Sequence, residues 1–152
     1  MSRIVLLDSG PLGIVTNPKA ASPLYQEGKL WLQSLPLKGY IVMLPEIADY
    51  EVRRELIRAG KATGIRRLDE LKSQIPYRPL TTEVMLLAAQ LWADARKRGK
   101  PTAEPNALDG DVILAAQAIL EAKGGNEVVI ATTNVGHLSQ FVDAREWRSI
   151  QQ

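Results

Sequence analysis

The sequence predicts an α/β domain with a mainly parallel central sheet flanked by helices, and three observations lead there. Three short apolar runs rich in branched residues, RIVLL (3–7), YIVML (40–44) and EVVIA (127–131), have the unbroken apolar character of strands covered on both faces. Segments with helical spacing of apolar residues separate these runs, and alternating strands and helices are the pattern of parallel sheets. At 152 residues the chain fits a single domain, 1–152, with room for one well-buried core.

Taken in order, the first strand gives way to Asp8-Ser9-Gly10-Pro11, which reads as a turn. Ser22 before Pro23 is a helix-start pair for residues 22–35, in which Leu24, Leu30, Trp31 and Leu35 recur at mixed helical spacings and Gly28 weakens the pattern. Pro45 after the second strand suits the first turn of a helix running through Arg58. Ile65, Leu68 and Leu71 mark a short amphipathic helix over 65–73. Pro76 and Pro79 allow at most a brief edge strand in 75–80. Residues 82–98 form the cleanest helical pattern: Val84, Leu87, Ala88, Leu91 and Ala95 line one face, and Arg96, Lys97 and Arg98 sit in the last turn before Gly99. A loop is expected over 100–107, then an apolar helix opening at Asp109 or Gly110 and stopped by Gly124-Gly125, then the EVVIA strand ending in Thr132-Thr133-Asn134.

Composition removes several classes of chemistry. The chain is 45% hydrophobic and 24% charged, as in an ordinary globular protein, and has no cysteine. Disulfide scaffolds, thiolate zinc sites and thiol nucleophiles are therefore excluded. With one histidine, His137, no multi-histidine metal centre can form, and any metal must be held mainly by oxygen. The apolar stretch Ile4–Leu7 stops at Asp8, too short for a signal-peptide core or a membrane span, so a cytoplasmic protein is expected.

A net charge of +2 hides a segregation: residues 51–100 carry twelve basic and six acidic groups, residues 101–152 three and seven. The middle of the chain can attract phosphates, while the C-terminal part can gather carboxylates around a cation.

In a doubly wound sheet, ligands collect outside the carboxyl ends of the strands. Asp8 and Asn134 follow the first and last predicted strands, and Asp109 and Asp111 lie at the mouth of a helix that can point to the same edge. Glu51 lies about two turns inside its helix, and spacing does not decide which way it faces. Carboxylates converging without basic partners persist when a divalent cation occupies their centre, and magnesium or manganese suits an all-oxygen shell. Such a centre fits phosphodiester hydrolysis. The same acids also serve as turn formers and helix caps, Asp109 among them.

Four stretches, IVLLDSGPLG (4–13), PEIADYEVRREL (45–56), DGDVILAAQAIL (109–120) and VVIATTNVGHLSQF (128–141), occur in this order over nearly the whole chain. Together they resemble the PIN-domain family, metal-dependent ribonucleases that include the VapC-type toxins of bacterial toxin–antitoxin pairs. The resemblance implies a PIN-like three-layer fold and maps the family's acids to Asp8, Glu51 and Asp111, with Asp109 as a companion. It implies Mg2+ or Mn2+ as cofactor, an RNA substrate, a cognate antitoxin as protein partner and a homodimer. Asn134 stands where the fourth motif often has another carboxylate; Asn134 and Ser9 become supporting residues.

Arg54 and Arg58 share one helix face and, with Arg53 and Lys61, can hold an RNA backbone beside the acids or receive an acidic stretch of an antitoxin. His137 is a further candidate contact for RNA. Of the eight aromatic residues several, such as Trp31 and Trp92, fall at apolar helix positions, and no base-stacking platform is visible. The departure at Asn134 motivates an alternative, a catalytically inactive PIN-like module that binds RNA or protein. A phospho-receiver-like domain finds no support, because paired acids after the first strand and a suitably placed lysine are missing.

Overall fold

The computed structural model describes residues 1–98 and 105–151. In chain order the elements are β1 (Arg3–Leu7), α1 (Ser9–Val15), α2 (Pro23–Leu37), β2 (Tyr40–Pro45), α3 (Glu46–Arg58), α4 (Ala62–Gln74), β3 (Tyr77–Arg78), α5 (Thr82–Lys97), α6 (Pro105–Ala122), β4 (Glu127–Thr132) and β5 (Ala144–Glu146). Two short 3-10 turns, Leu138–Gln140 and Trp147–Ser149, flank β5.

The strands form one sheet in the order β3-β2-β1-β4-β5, and every pair is parallel. Because successive side chains of a strand point to opposite faces, β1 serves two cores at once. Val5 and Leu7 pack with α1, α2, α3 and α4 through Leu12, Trp31, Leu35, Ala48, Val52 and Leu68. Ile4 and Leu6 face the other way, onto Leu114 and Ala118 of α6. α5 lies outside α6, with Val84, Ala88 and Ala95 against Val112 and Ala116. Sandwiched between sheet and α5, α6 is apolar on nearly all sides, as its alanine-rich sequence requires. Helix, sheet and helix make the three layers expected.

Several boundaries differ from the sequence reading. The expected turn after β1 is helical from Ser9, with Asp8 as its N-cap accepting the Ser9 N–H. α2 begins where the Ser22-Pro23 pair placed it, the Ser22 hydroxyl accepting from the Tyr25 N–H. Gly28 does not interrupt it: a Cβ there would lie 2.6 Å from Ile14 Cγ2, so this glycine allows α1 and α2 to touch. Gly99 and residues 100–104 of the expected loop lie outside the described residues. From Pro105 the chain is already helical, about a turn before the expected start, since proline is tolerated in a first turn where its missing N–H is not needed.

β5 and the C-terminal turn were not anticipated. Trp147 is buried and meets Trp31 edge-on at 5.2 Å between ring centroids, while Trp31 Nε1 donates to the Ile150 carbonyl at 3.0 Å. Arg148 clasps Glu27 through two hydrogen bonds of 2.7 and 3.1 Å. No described helix is long and apolar enough to cross a membrane.

Candidate active site

The carboxyl ends of β1 and β4 meet where the Asp8 N–H donates to the Ala131 carbonyl at 2.9 Å. This junction projects Asp8 from the edge of the sheet, and both its carboxylate oxygens are engaged. Oδ1 accepts the Ser9 N–H at 2.7 Å, and Oδ2 accepts the hydroxyl of Thr132 at 2.7 Å. Thr132 is fully buried, and its Oγ1 accepts the Asn134 N–H at 3.1 Å in turn. Thr132 thereby sets the direction of Asp8, a role the sequence reading did not assign, although its position at the end of an apolar strand was the available signal.

Glu51 comes from α3 and Asp111 from α6. Burial and the neighbouring Asp8 charge raise Glu51 to about 7; Arg54 opposes the shift and Asp111 adds to it. Asp111 rises to about 6, again through burial and then Asp8, with His137 opposing. Three acids from three elements thus feel one another's charge. Among the described residues no basic side chain forms an ion pair with any of them. Gly110 brings α6 to α3: a Cβ there would stand 2.7 Å from Glu51 Oε2.

The other expected site residues divide. Ser9 lines a groove between α1 and α3 with Gly10, Glu51, Arg54, Arg58 and Lys61. Arg58 is exposed and pairs with Glu55 at 2.8 Å. His137 lies within electrostatic reach of Asp111. Asn134 is exposed, and its Oδ1 accepts the Gly136 N–H at 3.1 Å, closing a turn. Arg53 does not join the groove: its Nε donates to buried Asp49 at 2.8 Å, and its Nη2 pairs with Asp69 at 2.8 Å. Asp109 is exposed and lines a separate cavity between α5 and α6 with Met85, Trp92 and Val112. Because α6 starts at Pro105, Asp109 lies inside the helix instead of capping it, and two residues' separation turns it about 200° from Asp111.

All donors of the triad are carboxylate oxygens, the set that suits a hard divalent cation, and burial without a cationic partner is the electrostatic environment that favours one. In chemistry, therefore, the residues fit Mg2+ or Mn2+. In geometry they stand apart: among the described residues no three histidine, aspartate or glutamate side chains are close enough to grip an ion as they are.

By sequence, no family model matches the chain and no curated protein matches it. By structure, it is similar to a chain of VapBC2 from Rickettsia felis bound to a DNA fragment from their promoter, with 15% identity, 93% of this chain and 97% of that chain covered, and a TM-score of 0.68. It is similar to a chain of FitAcB from Neisseria gonorrhoeae, with 22% identity, 96% and 99% covered, and a TM-score of 0.67. A chain of VapBC-1 from nontypeable Haemophilus influenzae gives 16% identity, 96% and 99% covered, and a TM-score of 0.62. At such identities the likeness bears on the fold, and the fold is PIN-like: a parallel five-stranded sheet between helical layers, as the resemblance of the four sequence stretches implied.

Proposed function

We propose that this chain is an endoribonuclease dependent on Mg2+ or Mn2+, the toxin of a type II toxin–antitoxin pair. The observation that carries the reading is the mutual pressure of Asp8, Glu51 and Asp111 at the carboxyl edge of the sheet with no ion-paired base among the described residues. When bound there, a divalent cation supplies charge to a phosphoryl oxygen and acidifies the attacking water.

Asp8, its direction held by Ser9 and Thr132, and Asp111 would hold the ion directly, with Glu51 as a further ligand or as the acceptor of the water proton. Burial and the Asp8 charge raise the Glu51 carboxyl to about 7; a cation beside it would favour the carboxylate, the form that accepts a proton from water. Arg54, Arg58 and Lys61 line the groove that starts at Ser9 and Glu51, and they meet RNA phosphates there. His137, beside Asp111, is a further phosphate contact. The fold shared with VapBC and FitAcB chains supports a cognate antitoxin whose acidic stretch enters the same basic groove, and the family resemblance supports a homodimer.

Calorimetry of Mn2+ binding to the wild type and to Asp8→Asn tests the centre without needing the right RNA. We expect one or two ions to bind the wild type and the variant to lose them with its melting temperature preserved; RNA cleavage is lost in parallel. Full cleavage by Asp8→Asn overturns the assignment. Failure of both proteins to bind Mn2+ favours the inactive binding module, a reading motivated by Asn134, whose side-chain oxygen is occupied by a turn.

A further inference from the structure

On α3, Arg54 lies three residues after Glu51 and four after Tyr50, so by helix geometry it stands between them on the solvent side. The structure bears this out on both sides. The Arg54 guanidinium lies over the Tyr50 ring, 5.0 Å from its centroid, and its charge acts on Glu51. Tyr50 is 56% exposed, whereas its chain neighbour Glu51 is half-buried. Arg54 is exposed, lines the groove leading from Ser9 and Glu51, and makes no ion pair among the described residues.

We propose that Tyr50 and Arg54 form a stacking platform for an unpaired nucleobase beside the groove that leads from Ser9 and Glu51. The inference rests on the proposed ribonuclease function and names two residues that would hold a base of its substrate. A ring face already paired with a guanidinium offers stacking and charge together, the combination that single-stranded nucleic acid binders use without reading sequence. Bases inside a duplex have no free face to offer it. The sequence showed no platform because Tyr50 falls inside a helix whose exposed face only the fold reveals.

The test uses fluorescence anisotropy with a ten-nucleotide single-stranded RNA of mixed sequence and with its duplex, in chelator so that nothing is cleaved. Tyr50→Ala is expected to weaken single-strand binding about tenfold, with Tyr50→Phe restoring it and duplex binding unchanged in both. The salt dependence separates the partners: Arg54→Ala flattens the slope by about 0.7, the single-strand value for one phosphate contact, whereas Tyr50→Ala leaves it alone. Wild-type affinity in Tyr50→Ala overturns the platform. So does an absence of single-strand binding by the wild type, or a change of oligomeric state in Tyr50→Ala with RNA binding intact, which would assign the ring to a protein interface. Mn2+ calorimetry on the same proteins keeps the two readings apart, since loss of metal binding in the wild type strikes the nuclease assignment and leaves the stacking result to stand or fall separately.

Discussion

The hydroxyl of Thr132, at the end of β4, donates to Asp8 Oδ2, at the end of β1, across a distance of 2.7 Å. Two neighbouring parallel strands are thereby tied at the edge where the acids collect, and one oxygen of the central carboxylate is fixed by a side chain with no exposure of its own.

Replacing Thr132 by valine keeps the shape and removes the donor. Partners behind metal ligands typically contribute about 10–100-fold in affinity, so Thr132→Val should weaken Mn2+ binding by at least tenfold. Thr132→Ser, which keeps the hydroxyl, should stay near the wild type. Equal calorimetric affinities for all three proteins would show that Asp8 needs no such anchor.

Gly110 separates α6 from Glu51. In Gly110→Ala the added methyl displaces the Glu51 carboxylate, the flexible end of a side chain, so folding suffers little. Alanine in place of glycine stabilises a helix interior by up to about 1 kcal/mol. The expected result is an unchanged or raised melting temperature together with weaker Mn2+ binding. Unimpaired binding would place Glu51 outside the metal shell.

The acids give stability a pH dependence of definite sign. Glu51 is raised from 4.5 to about 7 and Asp111 from 3.8 to about 6, so the folded chain holds these protons more tightly than the unfolded one. Their protonation supports folding fully below the unfolded values near 4, and that support is lost as the pH rises through about 6 to 7. Without metal the melting temperature should fall between pH 5.5 and 8 by roughly a few degrees from this source. Mn2+ competes with the same protons, so the stabilisation it confers should grow over that range. Thermal melts at several pH values, with and without Mn2+, check both trends, and Glu51→Gln should flatten them.

Trp147 anchors the C-terminal turn against Trp31. Truncating a buried tryptophan costs about 3–5 kcal/mol, so Trp147→Ala should shift the urea midpoint strongly without changing Mn2+ stoichiometry in the fraction that remains folded.

Much of the fold was legible because local signals and tertiary roles agreed. RIVLL, YIVML and EVVIA are strands, Ser22-Pro23 opens a helix, and the prolines at 76 and 79 confine β3 to two residues at the sheet edge. Two of the misses share one cause, a local pattern whose meaning depended on a distant partner. Gly28 looked like a flaw in a helix until Ile14 was seen against it. Arg53 looked like one of four groove cations, but the buried Asp49 and the exposed Asp69 hold it elsewhere.

For the candidate site, the sequence by itself determined the chemistry on offer: acids at strand ends and helix starts, no thiol, and one imidazole. Residue type fixes which atoms can bind a hard cation, and no fold can change that. Only the tertiary structure decided the membership. It turned Glu51 towards Asp8 and Asp111, left Asp109 on the other side of α6, enlisted Thr132, and set Tyr50 and Arg54 on the rim. Helix periodicity gives the angle between neighbouring residues but not the rotation of the helix about its axis, which is fixed by what packs against it from far along the chain.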